Sequence, residues 1–403
     1  MAVPRPTTDA ASATSARPRR ILISAGEASG DRSGALLIAE LKGRDPTLEF
    51  RGLGGHLMRE AGVSLIRDCT GMAVMGFVET WKKVPRGLEA FFALGRTIRS
   101  GWPDLVIAID FPTLNLRLAR YAWAFGVPVL WYFPPGAWTQ DYRSSRVVAA
   151  CATKILTPFP ASVARYAAAG ADVVCIGHPL VDVLGPAAER RRERLADGTL
   201  PPTVALLPGS RDLEITHILP IMLEACALIK AELPAAEFVV SRAPTIAEDR
   251  IRALAARVQT PVEVVGGTAA ALERARAVLV TSGTATLEAA IVGVPMVVVY
   301  RANSLQYMQY RIFVEPKRPD PIGMPNILAG EMIVPELIQS AATPRAMADL
   351  ILRYLRDADH AARTEERLRQ ATAGLGKGGA LARSADIILE MLAQTAARPR
   401  RDP

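Results

Sequence analysis

Short apolar runs alternate along most of this chain with longer segments in which apolar residues recur at helical spacing. Runs such as Asp104–Asp110 and Met296–Tyr300 are too continuously apolar for strands with one face in water, so they predict buried parallel strands. Strands that alternate with helices form βαβ units. The alternation occurs in both halves of the chain and predicts an α/β protein with two doubly wound, Rossmann-like domains facing a cleft.

The charged, Arg-rich segment Gly185–Thr199 separates the two runs of βα pattern and is predicted as the linker region. The predicted organisation is a disordered tail over 1–19, a first domain over 20–184, a linker over 185–200, a second domain over 201–375, and a C-terminal helix with a basic tail over 376–403. The predicted strands are Ile21–Ser24, Phe50–Gly55, Asp104–Asp110, Val127–Tyr132, Thr153–Leu156, Val173–Ile176, Val204–Leu207, Glu237–Ser241, Val262–Val265, a run ending at Val280, and Met296–Tyr300.

The stretch Val278–Arg301 contains a strand, a turn of small and hydroxyl residues, and a helix in immediate succession. Such a turn directs backbone N–H groups and the positive end of a helix dipole at one point, which favours a phosphate. Glu288, one turn into the helix, suits the paired hydroxyls of a ribose. The alternative is an N-capped helix in which Glu288 serves the cap. The predicted nucleotide-binding residues of this turn are Ser282, Gly283, Thr284, Ala285, Thr286 and Glu288.

A second anion site is predicted where the strand Val204–Leu207 runs into the sequence PGSRDLE. Gly209 permits close approach of the backbone and Ser210 offers a hydroxyl. Arg211 presents a planar fork of donors that matches phosphate oxygens.

In the first half, the strand Ile21–Ser24 leads into AGEASGD, which is not the dinucleotide-binding pattern G-x-G-x-x-G. Glu27 and Asp31 would repel a pyrophosphate, so we predict that this turn binds neutral sugar hydroxyls. The alternative is that the two carboxylates complement a helix dipole. Asp110 ends a buried strand, at the edge of the sheet where ligands bind. It is therefore predicted as a catalytic carboxylate, with a helix cap as the alternative.

Two further segments have side chains suited to binding a ligand or a membrane surface. The proline-rich loop after Val127–Tyr132 mixes aromatic and basic residues, and its predicted acceptor-binding residues are Trp138, Arg143 and Arg146. The segment Met72–Arg99 has an apolar stripe edged by Lys82 and Lys83, which is typical of an interfacial segment on anionic lipid and also of an ordinary core helix. The stripe residues predicted to contact a membrane are Val74, Phe77, Val78 and Trp81.

The composition limits the binding partners and the cellular compartment that we expect for this protein. Lys and Arg outnumber Asp and Glu by 48 to 40, a modest excess that favours anionic partners. The four cysteines share no close spacing, which argues against a zinc site or a disulfide framework and favours a reducing cytoplasm. The first twenty residues lack the apolar segment of a signal peptide, and no apolar run is long enough to span a bilayer. Any membrane contact is therefore expected to be peripheral.

Two doubly wound domains with a nucleotide site in the second describe the glycosyltransferase-B architecture. The chain resembles the lipid-A-disaccharide synthases in the order and content of its motifs from about Ile21 to about Gln339. These motifs are AGEASGD, VMGFVE, AIDFPTLN, GHPLVD, LPGSR, TSGTATLE, PMVVVYR and MPNILAG. The resemblance implies an inverting transfer of 2,3-diacylglucosamine from UDP to 2,3-diacylglucosamine 1-phosphate, which forms a β-1,6 disaccharide. The positions that match the family's polar active-site residues are Glu27, Asp110, Arg211, Glu288 and Asn326.

The resemblance also implies a cytoplasmic enzyme that attaches peripherally to the anionic inner-membrane surface, with neither a metal or other cofactor nor a nucleic-acid partner. It leaves the oligomeric state open, a homo-oligomer included. Two departures affect the first half: the aromatic loop keeps Trp138 and loses a second Trp, and Thr113 stands where the family usually has Asp. Two other classes stay open: a different UDP-sugar enzyme, such as a 2-epimerase or the peptidoglycan-precursor transferase, and a catalytically silent lipid- or nucleotide-binding homologue.

Overall fold

Two parallel β-sheets, each covered by helices, organise the computed structural model of the chain, which describes residues 17–69, 77–135, 142–258, 261–301 and 321–396. The first sheet has seven strands in the order β3-β2-β1-β4-β5-β6-β7. Its strands are β1 Arg20–Ala25, β2 Glu49–Gly54, β3 Ser64–Asp68, β4 Leu105–Ile109, β5 Val129–Tyr132, β6 Lys154–Thr157 and β7 Val173–Cys175. Every neighbouring pair in this sheet is parallel.

The second sheet has six strands in the order β10-β9-β8-β11-β12-β13, again all parallel. They are β8 Thr203–Leu207, β9 Glu237–Arg242, β10 Glu263–Gly266, β11 Ala277–Thr281, β12 Met296–Tyr300 and β13 Glu336–Ile338. Two parallel sheets with crossover helices confirm the predicted class, an α/β protein with two doubly wound domains.

The helices of the first half are α1 Ala28–Arg44, α2 His56–Glu60, α3 Phe77–Arg99, α4 Pro112–Ala124, α5 Tyr142–Ala149 and α6 Pro160–Ala168. The second half contains α7 Pro179–Ala196, α8 Asp212–His217, α9 Leu219–Glu232, α10 Glu248–Ala256, α11 Thr268–Leu272, α12 Thr284–Val292, α13 Met324–Ala329, α14 Pro344–Arg356, α15 Ala358–Thr372 and α16 Ala380–Ala396. None of the helices described is long and apolar enough to cross a membrane.

The central strands are apolar because helices cover both of their faces. Every residue of β4, β5, β8 and β11 is buried. Burial on both faces removes the alternation of polar and apolar residues that a one-sided strand shows. This explains why the predicted central strands agree with the observed ones to within a residue or two.

Two edge strands were not predicted. β3 is half-exposed and β13 has three residues, none of them fully buried. An edge strand packs less of its surface, so its sequence carries little of the apolar signal from which strands are predicted.

The chain crosses between the domains twice, at α7 and at α16. The predicted linker 185–200 lies largely inside α7, whose Leu180, Leu184 and Ala188 pack into the core of the second domain. The predicted C-terminal helix is α16, and it returns to the first domain. There its Ile388, Met391 and other apolar residues join the core formed by β1, β4 and α1.

The two crossing segments are hydrogen-bonded to each other. The His178 N–H donates to the Leu375 carbonyl over 2.8 Å, and the Leu381 N–H donates to the Asp182 carboxylate over 2.9 Å. The Arg383 guanidinium donates to the Ile176 carbonyl over 2.6 Å. The junction between the domains is therefore a pair of bonded segments and not a single free linker.

Candidate active site

Each sheet has one point at which the direction of strand order reverses. In the first sheet it lies between β1 and β4, and in the second between β8 and β11. Ligands of open α/β sheets bind in the crevice outside the carboxyl ends of the strands at such a point. Four of the motifs singled out in the sequence stand at the carboxyl ends of these strands, so the fold collects them at two crevices; they are AGEASGD, AIDFPTLN, LPGSR and TSGTATLE.

Glu27 and Asp110 lie side by side at the crevice of the first sheet. Their strands are paired in register, with Ala25 opposite Ile109. Burial raises the pKa of Asp110 to about 6, and repulsion from the nearby Glu27 carboxylate adds to the shift. Such a carboxylate is ionised at neutral pH but is far more basic than an exposed aspartate, as a general base requires.

The backbone that carries Asp110 is held in an unusual conformation. Asp110 and Phe111 have φ values of 42° and 46°, in the left-handed region that non-glycine residues seldom adopt. The buried amide of Asn115 donates to the carbonyls of Ile109 and Asp110 over 3.0 and 2.8 Å, and it accepts the Ser24 hydroxyl over 2.7 Å. Left-handed residues that the surroundings hold in place are common at active sites.

The helix caps decide the alternative for Asp110, whereas the dipole alternative for Glu27 is compatible with its place at the start of α1. The N-cap of α4 is Phe111, without a side-chain cap bond, so Asp110 does not serve as the helix cap. Glu27 is the N-cap residue of α1, but its carboxylate makes no cap bond either.

Asp31 has a structural role. Its buried carboxylate accepts the N–H groups of Gly55, Leu57 and Met58 over 2.6, 3.0 and 3.1 Å, at the start of α2. The predicted sugar-hydroxyl site at this turn is therefore reduced to Glu27.

On the opposite side of the cleft, the turn between β11 and α12 has hydroxyl groups that are hydrogen-bonded within the protein and backbone N–H groups on exposed residues. The Ser282 hydroxyl donates to the Ile322 carbonyl, and the buried Thr286 hydroxyl donates to Gly283 and accepts from the Met324 N–H. Gly283 and Thr284 are exposed, and the first N–H groups of a helix have no intrahelical acceptor. Within the predicted anion site, the part that these bonds leave accessible is therefore the backbone of Gly283, Thr284 and Ala285.

Asn326 holds the segment that covers this turn. It is fully buried; its amide donates to Val334 and Glu336, and its oxygen accepts the N–H groups of Ile333 and Val334 over 2.7 and 2.9 Å. The Glu336 carboxylate also accepts the N–H groups of Ile322 and Gly323. These contacts favour a positioning role for Asn326 over direct contact with a ligand.

Arg211 is the N-cap of α8 and faces Glu214. The Glu214 carboxylate accepts the backbone N–H groups of Ser210 and Arg211 over 2.9 and 3.1 Å, and its other oxygen lies 3.3 Å from the Arg211 guanidinium. Gly209 has a φ of 109°, and a side chain there would overlap Glu214. Glu214 therefore occupies the backbone part of the predicted anion site, and the half-exposed Arg211 side chain remains its accessible part.

Glu288 is buried in the first turns of α12 and is paired with Arg32 of α1. The N-cap of α12 is Gly283, without a side-chain cap bond, so the alternative in which Glu288 serves the cap is not supported. The pair also shows that the crevices of the two sheets face each other.

Some predicted residues cannot be placed. Val74 and Trp138 lie outside the described residues, as do the side chains of Phe77, Val78, Trp81 and Arg143, although the backbone of α3 and α5 is described there. Arg146 is exposed on α5.

His178 of the GHPLVD motif caps α7 by accepting the Leu180 N–H at Nδ1 over 3.1 Å. Burial lowers the pKa of His178 to about 4, so its imidazole is neutral at neutral pH.

Sequence reasoning missed Arg32, Asn115, Glu214 and Glu336. Asn115 could have been found as the polar residue in the apolar pattern of α4. The other three are charged residues in polar surroundings, and their partners are determined by the tertiary structure.

Comparison with known proteins gives one consistent result. The protein-family model described as Lipid-A-disaccharide synthetase matches residues 21–388. The lipid-A-disaccharide synthase of Geobacter sulfurreducens is 40% identical over 377 residues, which cover 93% of this chain and 97% of the relative. That of Myxococcus xanthus is 36% identical over 378 residues, covering 93% and 98%.

Solved structures match at the level of the fold. The UDP-GlcNAc 2-epimerase from Neisseria meningitidis bound to UDP-GlcNAc has a TM-score of 0.58 at 13% identity and covers 93% of this chain and 100% of its own. The calicheamicin glycosyltransferase has a TM-score of 0.57 at 17% identity, with coverage of 94% and 100%. The architecture is therefore that of glycosyltransferase-B enzymes and the related epimerases. With the family match spanning both crevices and every motif that lines them, the chain belongs to the lipid-A-disaccharide synthetase family.

Proposed function

We propose that this protein is an inverting glycosyltransferase that condenses UDP-2,3-diacylglucosamine with 2,3-diacylglucosamine 1-phosphate. The products are the β-1,6-linked lipid A disaccharide 1-phosphate and UDP. The family match over residues 21–388 carries this conclusion, because it includes the polar residues of both facing crevices.

In this proposal the donor, the UDP-sugar, binds to the second domain. Its diphosphate lies between the Arg211 side chain and the N–H groups at the start of α12, where a guanidinium and a helix dipole both favour anions. Its ribose hydroxyls donate to Glu288. Asn326 and Glu336 keep the segment 322–336 in place over the turn, so they position the donor indirectly.

The acceptor, 2,3-diacylglucosamine 1-phosphate, binds to the first domain. Asp110 takes the proton of the acceptor 6-hydroxyl while that oxygen attacks the anomeric carbon from the face opposite the nucleotide. The bond to the diphosphate oxygen breaks, and UDP leaves with the electron pair. Arg211 and the α12 N–H groups stabilise the charge that develops on the leaving group. Glu27 helps to keep Asp110 basic and is the second candidate for the base.

Membrane attachment is the remaining part of the proposal. Besides the stripe Val74, Phe77, Val78 and Trp81, α3 and the C-terminal end of α4 carry an exposed apolar surface. We name it the aromatic patch and define it as Leu88, Phe92, Trp123 and Phe125. These four side chains are 41%, 62%, 63% and 41% exposed. Ring contacts through Phe91 and Tyr121 connect Phe92 to Phe125. Exposed arginines flank the patch, which suits an anionic lipid surface; they are Arg86, Arg96, Arg99, Arg117 and Arg120.

Product analysis tests the proposal. Purified protein is incubated with both diacylated substrates, and the products are identified by mass spectrometry. A disaccharide monophosphate formed together with UDP is the expected result. An epimerised UDP-sugar would place the chain with the 2-epimerases that share its fold. A protein that binds UDP and forms no product would be the silent homologue.

A further inference from the structure

One ion pair joins the domains across the cleft between the two crevices. Arg32 lies on α1, shortly after Glu27, and its guanidinium contacts the carboxylate of Glu288 on α12. The two residues are 256 positions apart in the sequence, so only the packing of the domains brings them together. The contact joins α1, the helix that begins next to Glu27, to the predicted donor site of the second domain.

The two partners differ in their access to water. The Glu288 side chain is 2% exposed and that of Arg32 is 36% exposed. A carboxylate removed from water requires a charged or hydrogen-bonding partner. Because Glu288 does not cap its own helix, Arg32 supplies this partner from the other domain.

Arg32 presents the kind of donor that a ribose presents. A guanidinium offers N–H groups in a planar fork that matches the two oxygens of a carboxylate, and the vicinal hydroxyls of a ribose offer two donors to the same oxygens. With Arg32 in place Glu288 is almost inaccessible. A ribose therefore reaches the carboxylate only when Arg32 withdraws.

We propose that Arg32 is a cross-domain gate of the donor site. It binds Glu288 when no nucleotide is present, and it gives up the carboxylate to the ribose when the nucleotide-sugar binds. This inference rests on the proposed function, because it requires Glu288 to accept the ribose hydroxyls. It couples donor binding to a change in the contact between the domains, and part of the binding free energy of the nucleotide is used to break the pair.

Calorimetry with UDP tests the gate. Removal of a competing ion pair of this kind in Arg32→Ala is expected to tighten UDP binding by about 3- to 10-fold. Arg32→Lys, which keeps the charge but not the fork, should lie between the wild type and Arg32→Ala. Arg59→Ala is the matched control, since it removes an arginine that pairs with Asp68 over 2.8 Å on the surface of the same domain. Its UDP affinity should equal that of the wild type.

A second ligand separates the gate from the donor site. 2′,3′-Dideoxyuridine 5′-diphosphate has no ribose hydroxyls, so its affinity should be weaker than that of UDP and should not change in Arg32→Ala. Weaker UDP binding in Arg32→Ala, or an equal gain for both ligands, would overturn the gate. If the two nucleotides bind equally well to the wild type and to Arg32→Ala, the assignment of Glu288 to the ribose fails instead. Should Arg32→Ala unfold, Arg32→Gln gives the same comparison while keeping a neutral donor for Glu288.

Discussion

At the scale of single residues, Asp110 combines a basic carboxylate with a constrained backbone. Asp110→Asn keeps the size and the hydrogen bonding of the side chain but cannot accept a proton. Turnover should fall by roughly 10²- to 10⁴-fold. The affinity for UDP should not change, because the proposed UDP site lies in the other domain. Single-turnover rates of Asp110→Asn and Glu27→Gln, measured side by side, decide which carboxylate is the base. Near-normal chemistry in Asp110→Asn would transfer the role to Glu27.

The pH dependence of the reaction follows from the same residue. Because the base acts in its ionised form and its pKa is raised to about 6, the rate should be constant above neutral pH and fall as the pH drops below about 6. A pH profile of the single-turnover rate provides the measurement. A decline centred near pH 4 would indicate an exposed carboxylate in place of Asp110.

Asp110 also affects the free energy of unfolding. A carboxyl group whose pKa is raised from 3.8 to about 6 in the folded protein favours folding in its protonated form. Its contribution is fully present below about pH 4 and is lost as the pH rises through 6. At pH 8, Asp110→Asn should therefore be more stable than the wild type by up to about 3 kcal/mol. Denaturant unfolding at pH 8 and pH 4.5 should show the advantage shrinking at the lower pH.

At the scale of elements, α3 and α4 present the aromatic patch to solvent. Phe92 and Trp123 are 62% and 63% exposed, so replacing both by Ser should leave the fold intact. Even half-burial of two aromatic side chains in lipid contributes on the order of 1.5 kcal/mol. Binding to vesicles that contain anionic lipid should weaken by at least about tenfold in the double variant, as sedimentation of the vesicles measures.

The control for the patch is Leu213→Ser, which removes a 51% exposed apolar side chain from α8 of the second domain. It should bind vesicles like the wild type. Equal binding by all three proteins would exclude the patch and leave the stripe around Trp81 as the proposed membrane contact.

At the scale of the whole molecule, α16 links the end of the chain to the first domain. Ile388 is fully buried in the core that β1, β4 and α1 form. Ile388→Ala should destabilise the first domain by about 2–4 kcal/mol, the usual effect of a cavity in a core. UDP affinity measured well below the melting temperature should not change, because the donor site lies in the other domain.

Gln394→Ala, an exposed change on the same helix, is the control and should not alter stability. An equally small effect of Ile388→Ala would show that α16 does not belong to the core of the first domain in solution.

The sequence by itself determined the fold class and the central strands, and it located the residues that we propose for the chemistry. Continuous apolar runs specify strands that are buried on both faces, and small-residue turns after such strands predict anion sites, because both signals are local. Glu27, Asp110, Arg211 and Glu288 could be named for the same reason. Glu27, Asp110 and Arg211 stand within about four residues of the end of a predicted strand, and Glu288 lies one turn into the helix that follows one.

Only the tertiary structure decided how these residues are used. Asp31 and Asn326 use their hydrogen-bonding groups for backbone N–H and C=O groups, and Glu214 accepts the backbone N–H groups of Ser210 and Arg211 at the predicted anion site. The pairing of Arg32 with Glu288 depends on how two domains pack, and no spacing along the chain encodes it. Contacts between distant residues decide which polar groups are already satisfied, and only the remaining groups are available to a substrate.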